Sequence, residues 1–238
     1  MCIRDRTKLN AKEAILNLSN GPTFAFKDFA LQLLGNIYTH VLTRNSMQLT
    51  ILGATSGDTG SAAIYGCSGS SKVKLFVLFP KGKVSEIQRK QMTTSNAKNV
   101  KVFAVQGTFD DCQSIVKELF ADKALVSDVN LSGVNSINWA RILVQIIYYF
   151  SAFYQLKDLS AGKLSFSVPT GNFGDAYAGY ISKRMGLPVD KFLVATNEND
   201  ILHRAISNGD YKSQKVEETI SPSMDLLCER FMAVETYL

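Results

Sequence analysis

Residues 20–34 read NGPTFAFKDFALQLL, and in this stretch a single lysine, Lys27, stands among aromatic residues at the end of a turn. Gly21 and Pro22 are typical of a turn. Apolar residues then recur at the spacing of an α-helix, namely Phe29, Leu33, Leu34, Ile37 and Val41. The stretch therefore predicts a helix that begins beside Lys27.

Three phenylalanines, Phe24, Phe26 and Phe29, are expected to form apolar walls around the Lys27 amine. An ammonium group among phenyl rings loses hydration, which favours the neutral amine. A neutral amine attacks aldehydes, so the position suits a lysine that holds pyridoxal phosphate as a Schiff base. The alternative is a lysine whose stem only passes an apolar helix start, which explains most lysines in such places.

Size and charge limit the partners that the chain can have. It has 238 residues, 46% of them hydrophobic, enough for one large α/β domain or two smaller ones. Its net charge of +5 comes from basic residues that are scattered along the sequence. This surplus suits anionic small molecules and argues against nucleic acid. No apolar run reaches membrane-spanning length, so no membrane partner is expected.

The cysteines and histidines argue against a metal centre. His40 and His203 are the two histidines, and neither stands in a metal-binding motif, so no metal is expected. The cysteines lie far apart without a CxxC pair, which indicates neither a disulfide framework nor a zinc site. They are Cys2, Cys67, Cys112 and Cys228. This usage fits a reducing compartment, and a cytoplasmic location is expected.

Five apolar runs, each followed by a helical segment, organise the middle of the chain. The runs are MQLTILGAT, KLFVLFP, VKVFAVQG, KLSFSVPT and KFLVATN. Uniformly apolar strands are typical of parallel sheets that are covered on both faces. The sequence therefore predicts a three-layer α/β fold with mainly parallel sheets and helices on both faces. The long apolar helix predicted at residues 137–156 is a plausible domain seam.

Two glycine-rich loops each follow a strand and precede a helix, where α/β sheets bind ligands. In residues 53–60, GATSGDTG, the hydroxyls of Thr55, Ser56 and Thr59 lie beside a helix start, which suits a carboxylate or phosphate. The loop lacks the GK[ST] of a nucleotide triphosphatase. In residues 169–175, PTGNFGD, several backbone N–H groups could meet one phosphate. A plain glycine-rich turn explains either loop taken alone.

A third polar segment, VNSINWARI at residues 134–142, carries polar side chains into an otherwise apolar helix. Arg141 is suited to grip a phosphate with two parallel hydrogen bonds. The alternative is structural: Asn135 and Ser136 cap the helix, and Arg141 binds a neighbouring carbonyl group.

Taken in order, these segments resemble the pyridoxal-phosphate enzymes of the tryptophan-synthase-β fold (fold type II), and within them the threonine synthase family. The segments are GPTFAFKDFALQLLGN, GATSGDTGSAA, VNSINWARILVQ and VPTGNFGDAYAGY, followed by ATNENDIL and TISPSMD. The resemblance covers residues 16–225. It implies that the protein is a lyase that converts O-phospho-L-homoserine and water to L-threonine and phosphate, the last step of threonine biosynthesis.

The resemblance also implies roles for individual residues. Lys27 would carry the cofactor and move protons. The other expected cofactor-binding residues are Asp58, Thr170, Gly171, Asn172, Phe173 and Gly174. The expected substrate-binding residues are Thr55, Ser56, Thr59, Asn135, Ser136 and Arg141.

The chain departs from the family pattern in three respects. Asn20 stands where a histidine is expected. The family has further segments before and after this region, so the chain is expected to be truncated at both ends, without the hydroxyl partner of the pyridine nitrogen.

Residues 1–48 and 146–238 would then form an incomplete large cofactor-binding domain, and residues 49–145 a smaller α/β domain. The sequence does not decide the oligomeric state, which could be a monomer or a homodimer.

Two other functions remain open at this point. The same cofactor could serve a phospho-lyase or dehydratase that releases 2-oxobutyrate, although Ser136 and Arg141 favour a phosphorylated substrate. The chain could also be an inactive fragment or a regulatory remnant that only assists a partner.

Overall fold

The computed structural model describes residues 6–135, 138–156, 163–212 and 214–225. Contacts divide the chain into two units: a central unit, Ser19–Arg141, and a split unit, the described residues of Met1–Leu18 and Ile142–Leu238. The boundary at Arg141 falls inside the long helix that was expected to mark a seam. The division differs from the expected domains over residues 19–48, which belong to the central unit, and over residues 142–145, which belong to the split unit. The domain assignment stays a prediction.

The chain enters through a short antiparallel pair that the sequence did not predict. Strand β1 (Arg6–Lys8) pairs with β2 (Ala14–Leu16), with Thr7 opposite Ile15. Both strands belong to the split unit. They have three residues each and are mostly exposed, so they leave no clear period in the sequence.

The central unit alternates strands and helices as predicted. Its elements are α1 (Lys27–Arg44), β3 (Leu49–Ala54), α2 (Asp58–Cys67), β4 (Val73–Pro80), α3 (Glu86–Thr93), β5 (Val100–Val105), α4 (Phe109–Ala121), α5 (Lys123–Asp128) and β6 (Leu131–Gly133). The four strands form one parallel sheet in the order β5-β4-β3-β6. Because the strands are parallel, the loops after β3 and β4 leave the same edge of the sheet.

Both faces of this sheet are covered, as the apolar runs predicted. On one face, Ile51, Leu75 and Val77 pack against residues of α1, α2 and α3. On the other face, Leu52 and Leu78 pack against Cys112 and its neighbours in α4. Alternate residues of each strand thus enter different cores, which is why the strands read as continuous apolar runs.

Helices α1 and α2 touch backbone to backbone. A Cβ atom at Gly35 would lie 2.0 Å from the carbonyl oxygen of Gly66, so only glycine allows this approach. The buried face of α1 runs through Leu31, Leu34 and Leu42. Three of the residues whose spacing predicted the helix are exposed instead, namely Leu33, Ile37 and Val41. The predicted helix is confirmed, and its buried face differs because α2 packs on the side of Gly35.

The split unit continues with α6 (Trp139–Leu156), which begins in the central unit, then β7 (Leu164–Pro169), α7 (Gly174–Arg184), β8 (Val189–Ala195), α8 (Ile201–Asn208) and a 3₁₀ turn (Pro222–Met224). Strands β7 and β8 are parallel. The Tyr149 ring contacts Phe166 and Phe192 edge to face, with centroids 5.0 Å and 5.9 Å away. These aromatic contacts fasten α6 to the strand pair. Across the described residues, no helix is both long and apolar enough to cross a membrane.

Candidate active site

A buried carboxylate fixes the turn in front of α1. Asp28 is fully buried and accepts hydrogen bonds from the backbone N–H and the hydroxyl of Thr23, at 2.9 Å and 2.5 Å. These bonds hold the turn that begins at Gly21 against the first turn of the helix. The position of Lys27, the first residue of α1, is therefore set by its immediate neighbour in sequence.

The Lys27 amine lies 3.1 Å from Asp58 Oδ2, at the point where the starts of α1 and α2 meet. The two side chains are 9% and 23% exposed. The amine also lies 5.0 Å from the centre of the Phe26 ring. The expected wall of three phenylalanines is wrong for Phe24, which is 72% exposed and has a left-handed backbone conformation. The amine thus has a carboxylate partner that the apolar reading of the sequence did not foresee.

Sequence reasoning also missed Gln88, which reaches the same carboxylate from α3. Gln88 Nε2 donates to Asp58 Oδ1 at 2.6 Å. The available signal was the Ser-x-x-Gln pattern at Ser85, which predicts a helix cap and so a glutamine held at a fixed place. The pattern predicts the cap but not the second contact of the amide.

The loop of residues 53–60 is held by one of its own side chains. Thr55 is buried, and its Oγ1 accepts hydrogen bonds from the N–H groups of Gly57 and Gly60 at 3.0 Å and 2.8 Å. Ser56 and Thr59 are half-buried in the same loop. The structure thus gives Thr55 a role in shaping the loop, and its contact with substrate stays a prediction.

Arg141 and Thr59, two of the expected substrate-binding residues, come together in the central unit. Arg141 is 2% exposed, and its Nη2 lies 3.5 Å from Thr59 Oγ1 while its Nη1 donates to the Val134 carbonyl at 3.3 Å. The alternative reading, in which Arg141 binds a carbonyl group, therefore holds for one of its nitrogens.

The asparagine that caps α6 is Asn138, and not Asn135 as the capping alternative had it. Asn138 Oδ1 accepts from the N–H of Ala140 at 3.1 Å, so Asn138 caps this end of the helix. Asn135 instead donates to the carbonyl of Ala54, at the end of β3, at 3.0 Å. Asn135 is thereby tied to the strand that leads into the 53–60 loop. Ser136 lies outside the described residues.

The second glycine loop lies in the split unit, between β7 and α7. Thr170 is buried and its hydroxyl donates to the Asn172 carbonyl at 2.7 Å. Asn172 Oδ1 accepts from the N–H of Gly174 at 3.3 Å, and Phe173 is the residue that precedes α7. The loop is therefore folded as a turn at the start of a helix, the arrangement that binds phosphate.

The segment TISPSMD contacts this loop within the same unit. The N–H of Gly171 donates to Met224 Sδ at 3.2 Å. The neighbouring Asp225 accepts from Asn197 and Asn199 at 2.8 Å and 3.1 Å, and from the N–H of Thr219 at 2.9 Å. The two late segments that carried the resemblance are thus joined by one carboxylate.

Neither described cysteine is suited to act as a nucleophile. Burial raises the pKa of the Cys67 thiol to about 11, and burial raises the pKa of Cys112 to about 11 as well. Within the described ranges, no group of three or more His, Cys, Asp or Glu side chains could hold a metal ion.

Residues 7–235 match the pyridoxal-phosphate dependent enzyme family. The chain belongs to this family. The cofactor of the family is pyridoxal 5'-phosphate, as the segment around Lys27 predicted. The residues present fit it, since a buried amine stands at a helix start and a separate loop has the form of a phosphate site.

Several members of the family that resemble this chain carry the name threonine synthase. The enzyme of Pseudomonas aeruginosa is 52% identical over 220 residues, 92% of this chain and 47% of that protein. The solved PLP-bound threonine synthase from Brucella melitensis has a TM-score of 0.83 at 49% identity over 94% of this chain and 48% of its own. The Escherichia coli enzyme has a TM-score of 0.85 at 38% identity, over 94% and 51%.

These likenesses confirm the predicted family and the fold type II α/β architecture. The chain spans about half the length of the relatives that it matches.

Proposed function

We propose that this protein is a threonine synthase acting on O-phospho-L-homoserine. The observation that carries the proposal is the partly buried ion pair of Lys27 and Asp58, which joins the expected cofactor lysine to the expected anion loop at 3.1 Å. The names of the similar proteins support the same reaction. In that reaction the substrate loses its γ-phosphate, and water adds a hydroxyl group at Cβ.

Lys27 is the proposed catalytic residue. Its Nζ would hold the cofactor through the aldehyde carbon, and the same amine would take and return protons at the substrate carbon atoms. Asp58 is proposed to pair with the amine when it carries a proton, which the 3.1 Å distance between Asp58 Oδ2 and Lys27 Nζ supports. When bound, pyridoxal phosphate supplies an electron-withdrawing ring that drains electron density from the substrate Cα.

The two loops are proposed to bind the two phosphates. Thr170 to Gly174 form a helix-start turn that suits the cofactor phosphate. Arg141 is proposed to bind the substrate phosphate together with Thr59, supported by their 3.5 Å contact and by the burial of the guanidinium group. The remaining proposed substrate-binding residues are Thr55, Ser56, Asn135 and Ser136.

Two wider proposals accompany this function. Residues 49–145 are proposed as the smaller α/β domain, with the rest of the chain contributing to the cofactor-binding domain. A cytoplasmic location is proposed from the scattered cysteines, of which Cys67 and Cys112 are free thiols in the structure.

The test supplies the purified chain with pyridoxal phosphate and O-phospho-L-homoserine and measures threonine, phosphate and 2-oxobutyrate. The expected result is equal amounts of threonine and phosphate from the parent chain and neither from Lys27→Ala. Lys90→Ala is the matched control, because Lys90 is an exposed lysine in an ordinary surface ion pair. Release of 2-oxobutyrate without threonine would overturn the proposal in favour of a phospho-lyase. Absence of any product would favour the inactive fragment.

A further inference from the structure

Asp58 stands between two partners that come from different helices. Its Oδ2 lies 3.1 Å from Lys27 Nζ of α1, and its Oδ1 accepts from Gln88 Nε2 of α3 at 2.6 Å. Each carboxylate oxygen therefore has a partner of its own. Because both partners donate, the carboxylate is held in one orientation, with one defined oxygen presented to the amine.

The orientation of the Gln88 amide is itself fixed. The side-chain Oε1 accepts from the backbone N–H of Ser85 at 3.2 Å, and the backbone N–H of Gln88 donates to Ser85 Oγ at 3.2 Å. Because the amide oxygen is committed to Ser85, the NH₂ group faces Asp58. The reversed amide would place one oxygen against another and would lose both contacts.

Gly57 leaves the space that this contact needs. A Cβ atom at Gly57 would lie 2.3 Å from Gln88 Cδ, and the residue has a φ of +137°, which side chains rarely adopt. The residue before α2 is thus shaped to let the Gln88 side chain approach Asp58.

We propose that Gln88 is a positioning residue for Lys27: by fixing the Asp58 carboxylate, it sets where and how the amine is held. The inference rests on the proposed function, in which Lys27 is the cofactor lysine. The alternative explanation is that Gln88 only caps α3. Capping uses the oxygen of the amide, whereas the proposal concerns its nitrogen, so the two accounts are separable by substitution.

Two variants separate them. Gln88→Glu keeps an acceptor for the Ser85 N–H and so keeps the cap, but it replaces the donor facing Asp58 with a second carboxylate. Ser85→Ala removes the hydroxyl of the cap and leaves the Gln88 contact with Asp58 in place. Thermal unfolding shows whether both variants fold, and Ser85→Ala should have a lower Tm than the parent chain because a capping side chain is lost.

The decisive readout is capture of pyridoxal phosphate by individual lysines, trapped with borohydride and quantified by peptide mapping. The ratio of capture at Lys27 to capture at exposed Lys90 is compared between variants. For Gln88→Glu this ratio should fall about tenfold, because two carboxylates repel each other and Asp58 then no longer presents a fixed oxygen to the amine. For Ser85→Ala the ratio should remain that of the parent chain.

The outcomes separate this inference from the function on which it rests. If the parent chain captures cofactor at Lys27 no better than at Lys90, both the function and the inference fall. If the parent chain favours Lys27 and Gln88→Glu does so equally, only the positioning role falls. If Gln88→Glu does not fold, Gln88→Met is used instead and is made both in the parent chain and in a chain that carries Asp58→Asn. If Gln88→Met lowers the capture ratio equally in both chains, its effect does not pass through Asp58 and the inference is overturned.

Discussion

At the scale of single residues, the environment of Lys27 depends on atoms far away in sequence. Aromatic neighbours predicted an amine desolvated by phenyl rings, yet Phe24 is exposed and Asp58, 31 residues later, supplies the partner. Local composition therefore identified the residue and misjudged what surrounds it.

Gly57 gives a prediction at this scale. Gly57→Ala should destabilise the fold by about 2–3 kcal/mol, since it combines an unfavourable backbone conformation with a clash against Gln88. Gly82→Ala is the control, because Gly82 has a φ of +76° but nothing within 4 Å of its would-be Cβ. Strain alone should cost Gly82→Ala about 1 kcal/mol. Denaturant titration measures the free energy of unfolding of both variants. Equal losses of stability would show that the clash with Gln88 does not contribute.

At the scale of elements, helix starts carry much of the local order. Helix α4 begins with a capping box in which Asp111 Oδ2 accepts from the N–H and hydroxyl of Thr108, at 2.6 Å and 2.9 Å. The backbone hydrogen bond from Thr108, and then its hydroxyl, hold the pKa of Asp111 below its usual value. The carboxylate therefore stabilises the fold above the ordinary pKa of an aspartate, and this contribution disappears as pH falls through the lowered value.

This linkage predicts how an uncharged cap behaves. Asp111→Asn should have a lower Tm than the parent at neutral pH, and the difference should shrink once pH falls below about 4. Thermal unfolding across acidic and neutral pH measures it. Asp128→Asn is the control, since Asp128 is exposed near the end of α5. A difference that stays constant with pH would contradict the role of the charge.

A second element depends on Asp225, which joins the two late segments of the split unit. Asp225→Ala leaves the donors of Asn197, Asn199 and Thr219 without their acceptor and should cost about 1–3 kcal/mol. Trypsin should then cut faster at Lys212 and Lys215. Asp190→Ala, at an exposed aspartate of the same unit, should leave cleavage unchanged. Equal cleavage rates in the two variants would show that the segment is held by other contacts.

At the scale of the whole molecule, cofactor binding should stabilise the native state. A ligand present at 100 times its dissociation constant adds about 2.7 kcal/mol, so pyridoxal phosphate should raise the Tm of the parent chain. Lys27→Ala should show a much smaller rise, because the covalent attachment is lost. Lys90→Ala should match the parent. An equal rise in all three chains would mean that binding does not involve Lys27.

The sequence by itself determined the family, the alternation of strands and helices, and the helix that begins at Lys27. Apolar runs and glycine loops are local patterns, so α1, α2, the β3–β4–β5 strands and the two ligand loops could be predicted from neighbouring residues. The β1–β2 pair and the short strand β6 were missed because each strand has three residues, too few to show the alternation of side chains that predicts a strand.

Only the tertiary structure decided which face of α1 is buried and which groups meet the Lys27 amine. The close approach of Gly35 and Gly66 sets the first, and the joint placement of α1, α2 and α3 sets the second. Both depend on contacts between elements 30 or more residues apart, as in the 31-residue separation of Lys27 and Asp58. Hydrogen bonds act over about 3 Å, so no pattern within one segment can specify a partner that folding alone brings within reach.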